Sequence, residues 1–497
     1  RVPNEDRARL SVLISLFFAA STLFALSAGV IQSVGALTLI AWIAAQLPGL
    51  DYRNQGTGRS MQRVFVPLFL GVMALLIAAA GLFELRDAVR FEVVFAGDTR
   101  TVLVAIAVAV FGWAMMGQVL LHIWLLHGVV APGPSLPLLL LGVPLLGLSG
   151  LSVFEAQLPG VAPWLTSAAG VSAFLLAVFA CFQADILRVM ACLVGAVSGL
   201  AFLAISLGGS GVAMALFLTQ GLGLALLLWG AARVVRANGG DGDLAHMGGR
   251  KTALPVTYFT MLIGAAGVSG LGLPVVYAGA PLGLGGFEAM GVLLTLAANA
   301  GALWIVLITL FFTALAVWRA MLLCFQGDAR KALPSESIVE ERATRWVLSA
   351  LALLVVLAPA RITPDAVAVP APFLAAPALI FAASLIVAAA LFVWRLDGTG
   401  KLTRGLGAPG ETLSQGGQID KLASTLVIAP GQWVGRTLGH TLDAALLDAL
   451  MTRLARALLP PLAGWWHRLG SGRAAPYALT ALVGVVLLST IVAMVGA

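Results

Sequence analysis

Charge is scarce in this sequence. Only 10% of its 497 residues are Asp, Glu, Lys or Arg, against 60% that are hydrophobic, and a chain so composed has too little polar surface to be a soluble domain. Cysteine is scarcer still. Cys181, Cys192 and Cys324 are the three in the chain; each lies within or at the end of an apolar run, and none shares a paired spacing with another. That excludes a disulfide framework and a cysteine-held metal, and the three read as small apolar residues.

What is present is apolar length. The mean hydropathy of +1.01 reads as an all-α polytopic membrane protein. Windows free of charge recur at about 8–30, 33–48, 64–83, 101–127, 136–154, 161–183, 189–208, 211–232, 254–279, 289–318, 346–360, 371–394 and 476–495, which gives thirteen expected spans. With the N-terminus and every second loop on one side, that side collects 25 of the 29 basic residues and the other keeps only Arg86, Arg90, Arg100 and Arg361. The basic side is therefore expected to be cytoplasmic. The net charge of +7 follows from topology and contact with anionic lipid, with no support for nucleic-acid binding. The chain begins at Arg1 without a signal peptide, so its numbering is expected to start inside a longer gene product.

One segment is neither a span nor a loop. From 419 to 468, Leu438, Leu442, Leu446, Leu450, Leu454 and Leu458 recur every four residues, while Asp443, Asp448, Arg453 and Arg456 lie mostly elsewhere on the helical wheel. The acids stand near the start of this helix and the arginines near its end, as the helix dipole favours. Pro430, Pro460 and Pro461 divide it into two or three pieces. At 1.5 Å per residue about 50 residues reach roughly 70 Å along a membrane surface, so the segment reads as a lateral strap followed by a terminal anchor. An ordinary interfacial helix lying on lipid is the equal alternative. The expected organisation is shortened N-terminal helices over 1–100, a first bundle half over 101–232, a second half over 233–343, peripheral helices over 344–395, a linker over 396–418, the lateral helix over 419–470 and the anchor over 474–497.

Two stretches break the apolar monotony. In FGWAMMGQVLLHIWLLHGVVAPGPSLP, Gly117, Gln118 and His122 interrupt a span, and polar side chains at that depth usually face protein or water. A lone His beside Trp124 is more commonly a packed, hydrogen-bonded residue than a relay, and His127 is placed at the interface. In VSGLGLPVVYAGAPLGLGG, two prolines and six glycines indicate a second broken helix, tolerated in a membrane only against protein or a cavity. Glu288 at its end reads first as an interfacial anchor. Asp185 and Arg188 read as the charged start of a helix. The basic, Gly-rich loop ARVVRANGGDGDLAHMGGRKTALP follows a transmembrane helix and not a strand, which argues against a phosphate-binding loop.

The pieces MGQVLLHIWLLHG, DILRVMACLVGAVSGLAFLAIS, DLAHMGGRKTALPVTYFTMLIGAAGVSGLGLP and FFTALAVWRAMLLCF resemble, in that order, the antiporter-like membrane subunits of respiratory complex I, the NADH:quinone oxidoreductase. The segment from Gln418 to Val495, with GRAAPYAL before the last span, resembles the lateral helix and anchor of the distal, subunit L type. The likeness covers nearly the whole chain, is specific from Asp243 to Pro274 and weak before Gln118. It implies sixteen spans in a full member, so thirteen here would correspond to loss of the first three. It also implies a proton path in working members, through a membrane Glu, a Lys on the first broken helix, then His and Lys residues toward a Lys on the second. In this sequence those positions fall on Thr38, Met115, Leu140, Leu216, Gln220, Leu224 and Leu282, with Gly283 at the partner Asp of the last Lys.

The same loss is readable without any family. From 101 to 184 the one ionised side chain is Glu155, and none occurs in 189–232, 252–287 or 289–318. A proton crossing about 30 Å of hydrocarbon needs groups that take and release it, or water held by such groups. Only Gln118, His122, Gln220 and a few hydroxyls remain as a residual polar path.

The expected function is thus a degenerate distal antiporter-like subunit with an inactive channel, not catalytic by itself, that braces other membrane subunits of a complex I-like assembly through the lateral helix 419–468. No cofactor is expected in this chain, and lipid is its other partner. Its place would be the bacterial inner membrane, with the lateral helix on the cytoplasmic side. That the complex would couple NADH oxidation to quinone reduction and proton transfer rests on the resemblance alone. Two rivals stand beside this reading: a transport subunit of a cation/proton antiporter or inorganic-carbon uptake complex with a rewired path, and a free-standing lipid-facing scaffold.

Overall fold

A computed structural model of the chain describes residues 4–27, 29–50, 56–86, 99–155, 158, 162–269, 275–277, 280–282, 287–331, 342–357, 369–392, 425, 429 and 433. The chain divides into two compact units, Arg1–Ile428 and Ala429–Ala497, and every element named below lies in the first. The linker over 396–418, the lateral helix over 419–470 and the anchor over 474–497 fall outside the described residues, apart from the isolated Thr425, Ala429 and Trp433.

Among the described residues fourteen α-helices follow one another: α1 Asn4–Ala25, α2 Val30–Gln46, α3 Thr57–Arg86, α4 Thr99–Met115, α5 Ile123–Gly128, α6 Leu136–Val153, α7 Ala162–Phe182, α8 Ile186–Ser206, α9 Ser210–Ala237, α10 Pro255–Val268, α11 Phe287–Asn299, α12 Leu303–Phe325, α13 Arg342–Leu357 and α14 Ala371–Phe392. Eight of the described helices are long and apolar enough to cross a membrane, so the protein is an all-α, multi-pass membrane protein. Large apolar side chains such as Trp304, Leu379 and Ile386 stand exposed on α12 and α14, a surface suited to lipid and not to water.

The bundle is organised around α8. Every one of its residues except Leu187 and Arg188 is buried, as a helix apolar on all sides must be, and it packs against α5, α6, α7, α9, α11 and α12. Its start is set by Asp185, whose Oδ1 accepts from the backbone N–H of Leu187 at 2.8 Å and of Arg188 at 3.2 Å, the capping expected from the sequence. Small residues permit the close packing. A side chain at Gly199 would stand 2.7 Å from Gln118 Oε1 and 2.8 Å from Ala173 Cβ. Likewise α9 and α10 touch backbone to backbone, since a Cβ at Gly264 would lie 2.8 Å from the Gly223 carbonyl oxygen.

Two helix boundaries differ from the sequence expectation. The charge-free window 254–279 ends as a helix at Val268, and a short antiparallel pair follows, β1 Val275–Tyr277 and β2 Ala280–Leu282, with Val275 opposite Leu282. The break anticipated there is present, with extended chain inside it. The window 289–318 holds parts of two helices, because α11 stops at Asn299 and Gly301 turns the chain at φ 72° before α12. Absence of charge marks membrane depth but carries no information about a tight turn between two apolar helices.

Basic and acidic residues that leave the hydrocarbon are knotted together on one face. The 238–254 loop is tied to the α7–α8 corner by Ile186 N–H to the Gly242 carbonyl and Leu244 N–H to the Ala184 carbonyl, both at 2.9 Å. Arg250, buried, donates to Asn238 Oδ1 and to the Lys331 carbonyl at 2.8 Å each. Arg319 on α12, also buried, donates to the Gln183 carbonyl at 2.8 Å, so it closes the open C-terminal end of α7. The sequence count assigned these arginines to a side of the membrane; the structure gives each a clamp to close.

Candidate functional site

The first broken helix is the most polar place in the bundle's interior. Helix α4 stops at Met115, Gly117 takes φ 62°, Leu120 takes φ 77°, and α5 begins at Ile123. Gly117 suits the left-handed turn and also the space, because a Cβ there would collide with Leu125. Leu120 has no such excuse. A branched residue with positive φ costs about 1–2 kcal/mol, and the surroundings that hold it are visible: Trp113 Nε1 donates to the Val119 carbonyl at 2.8 Å, and Trp124 Nε1 donates to the Ala114 carbonyl at 2.9 Å.

Gln118 fills the break. Its amide nitrogen donates to the Met116 carbonyl at 2.9 Å, Ser198 Oγ at 3.0 Å and the Gly195 carbonyl at 3.3 Å. Its Oε1 accepts from Ser172 Oγ at 2.9 Å, and Ser172 Oγ in turn accepts from Val119 N–H at 2.9 Å. Ser198 Oγ also lies 2.7 Å from the Met116 carbonyl oxygen. Gln118 is wholly buried, and what it does is supply the hydrogen bonds that the unwound backbone lost. Ser172 and Ser198, which complete this seal from α7 and α8, were not singled out in the sequence; no signal marks one buried serine among many.

His122 and Gln220 behave differently. His122 is buried and lies with its ring centroid 6.4 Å from that of Phe179, yet neither ring nitrogen has a hydrogen-bond partner. The sequence expectation of a packed histidine holds, whereas the expected hydrogen bond is missing. Both amide atoms of Gln220 on α9 are likewise without partners, and a Cβ at the adjacent Gly221 would meet nothing within 4 Å. Gln118, His122 and Gln220 are therefore not linked to one another by hydrogen bonds. Trp318 Nε1 and Ser269 Oγ are two further buried polar atoms without a partner.

The remaining candidate positions are apolar and packed. Met115, Leu140, Leu216 and Leu224 are all at 0% exposure. The site a Cβ at Gly147 would occupy is 2.6 Å from Met115 Cβ, and that at Gly128 is 3.0 Å from Leu140 Cδ2, so neither position has room beside it. Thr38 on α2 is half-buried and donates to the Val34 carbonyl of its own helix at 2.7 Å. Leu282 lies in β2; Gly283 falls outside the described residues.

At the basic face, His127 ends α5 and meets Arg63 of α3, with Arg63 Nη1 2.7 Å from His127 Nε2. On the same loop system Asp241 Oδ2 accepts from Lys331 Nζ at 2.9 Å and lies 2.8 Å from His246 Nδ1. The Lys331 bond, the Asp243 N–H and the His246 contact hold its carboxyl far below the usual carboxylate range. Glu155, at the opposite end of the spans, accepts from the Ser210 N–H that starts α9 at 3.0 Å.

NADH-quinone oxidoreductase subunit L of Rhodobacter capsulatus is 24% identical over 347 residues, covering 65% of this chain and 49% of that protein. The subunit L of Mycobacterium tuberculosis is 28% identical over 352 residues, covering 66% and 53%. The chain thus spans about half the length of the curated relatives it matches. Among solved structures, a chain of the Mrp complex from a Dietzia species shares the fold with a TM-score of 0.65 at 20% identity, over 91% of this chain and 51% of that one. The family described as NADH:quinone oxidoreductase/Mrp antiporter, TM matches residues 37–316, more than half of the chain and the bundle around α8 up to the last turns of α12, and to that family this antiporter-like membrane protein belongs.

Proposed function

We propose that this chain is a non-conducting member of its family, a subunit that holds neighbouring membrane subunits of a complex I-like NADH:quinone oxidoreductase together and has lost a proton channel of its own. The observation that carries the reading is the state of the first broken helix. Where the family resemblance calls for a lysine stands Met115, fully buried against Gly147, and the polar residue three positions on, Gln118, is closed by four protein partners. A side chain so held has its amide N–H groups engaged and its oxygen bonded to Ser172, and no hydrogen bond leads from it to His122 or Gln220. Leu216 and Leu224 on α9 and Leu140 on α6 repeat the pattern at depth. The bracing role rests on the amphipathic periodicity of 419–468. The protein would sit in a bacterial plasma membrane with its basic face toward the cytoplasm.

The experiment is reconstitution of the parent complex in proteoliposomes with a pH-sensitive dye. Proton stoichiometry is expected to be the same for the wild type and for His122→Phe and Gln220→Leu. Truncation after Leu413 is expected to release this subunit from the purified complex. An intact complex after that deletion removes the bracing role.

A second reading is favoured by one observation, the unpartnered polar atoms of His122 and Gln220. Buried polar groups in natural proteins are nearly always satisfied by protein or by ordered water, so a hydrated route through these two residues would serve ion transport in an antiporter-type assembly. Loss of ion flux in His122→Phe or Gln220→Leu, with the complex intact, would select this reading over the first.

A further inference from the structure

Three helices of the bundle bring positive charge to one junction, and among the described residues no carboxylate forms an ion pair with it. Arg63 stands in the second turn of α3, His127 in the last turn of α5 and Arg188 in the first turn of α8, and α5 packs against both of the others. Arg63 Nη1 is 2.7 Å from His127 Nε2. A guanidinium is donor only, so Nε2 is the acceptor and the ring carries its proton on Nδ1. Arg188 is close enough for its charge to act on the same ring.

The neighbouring acid does not serve these arginines. Asp185 Oδ1 accepts from the N–H groups of Leu187 and Arg188 at the start of α8. On this face Asp241 pairs with Lys331 and His246. Arg59, one turn before Arg63 on α3, adds more positive charge. Two guanidinium groups whose charges act on one imidazole, one of them half-buried, repel unless water or an anion stands between them. This face also carries most of the basic residues of the chain, the side that meets the anionic leaflet.

We propose that Arg63, His127 and Arg188 form a binding site for one phosphate group at the α3–α5–α8 junction. The chemistry fits. Arginine presents paired N–H donors that match phosphate oxygens two at a time, and the imidazole Nδ1–H supplies a third direction. A phospholipid headgroup reaches this level of the membrane without leaving its leaflet, and a soluble phosphate reaches it from the aqueous side.

The test uses the full chain as purified, alone or in its parent complex, stripped of lipid in neutral detergent. Retained ligand is read by native mass spectrometry and by thermal shift. The probes are phosphatidylglycerol, phosphatidylcholine and inorganic phosphate at matched concentrations. Phosphatidylglycerol bound more tightly than phosphatidylcholine identifies a lipid site; inorganic phosphate bound at the same or lower concentration identifies a soluble phosphate site.

In either case Arg188→Gln, at an exposed position, is expected to weaken binding about tenfold, the scale of one charge-assisted contact. His127→Asp is the sharper variant. It places a carboxylate between the two arginines, so the fold is kept or improved while binding falls by about a hundredfold. Lys251→Gln, on the same loop face but over the Tyr258 ring, is expected to change nothing. The proposal is overturned if His127→Asp binds as the wild type does, if neither phosphate probe binds, or if phosphatidylcholine binds as well as phosphatidylglycerol while inorganic phosphate does not bind. It is also overturned if cross-linking from position 188 captures a carboxylate-bearing segment of another subunit in the same place.

Discussion

Replacing Gln118 by leucine separates a seal from a relay. The substitution conserves volume roughly but removes every partner the amide provides: the Ser172 hydroxyl loses its acceptor, Ser198 Oγ loses a donor, and the Met116 and Gly195 carbonyls lose one of their donors. The carbonyls keep Ser198 Oγ within 2.7 and 3.0 Å, so the Ser172 O–H is the group left orphaned. An unsatisfied buried group costs about 1–3 kcal/mol. Membrane interiors return less, with interhelical hydrogen bonds averaging about 0.6 and reaching about 1.7 kcal/mol. A loss of about 2 kcal/mol is therefore expected, read as the shift in a mild-detergent to dodecyl sulfate unfolding titration. Ser172→Ala alone should cost about 1 kcal/mol, and the double variant less than the sum by about 1 kcal/mol, since the two residues share one bond. Proton flux of the reconstituted complex should not move. The reasoning is refuted if Gln118→Leu is as stable as the wild type, or if it keeps its stability while flux falls, because Gln118 would then be a carrier and not a plug.

Other outcomes follow from the same packing. Gly199→Val should destabilise the bundle by about 1–3 kcal/mol through overpacking, because a Cβ there already meets Gln118 Oε1 at 2.7 Å; the same titration reads it. Met115→Lys sets an unpaired amine among apolar groups at a fully buried position, and it should cost about 3 kcal/mol or more and reduce the yield of folded protein without creating proton flux. Asp241, whose carboxyl is held low by Lys331, the Asp243 N–H and His246, contributes stability that is present above the ordinary carboxylate value of about 4 and lost as pH falls toward its depressed folded value. Asp241→Asn should lower stability slightly at neutral pH and leave the acid end of a pH–stability curve unchanged, so that the acid limb flattens by that same small amount, Lys331 being exposed and Asp241 partly so.

Much of the architecture was legible along the chain. The scarcity of charge and the charge-free windows are sums over many residues, and hydrocarbon enforces them strictly, so they survived into the helices observed. Gly117 and Gln118 announced the first break, and Asp185 announced the start of α8. The boundary between α11 and α12 was not legible, because Ala300, Gly301 and Ala302 are as apolar as the helices they divide. Nor was the Gln118 seal, whose partners Ser172 and Ser198 stand 54 and 80 residues away. The half-burial of Arg63 against His127, 64 residues apart, was hidden for the same reason.

The sequence by itself determined that this protein lives in a membrane and which of its windows carry no ionisable side chain. Those properties depend on composition within short windows, and the solvent reads composition directly. Only the tertiary structure decided what each surviving polar group does: Gln118 closed by partners from α7 and α8, His122 and Gln220 left open, Arg319 and Arg250 bonded to carbonyls, Arg63 set against His127. A hydrogen bond depends on a few ångströms between helices distant in the chain, and no pattern along one helix encodes what the next will bring within reach.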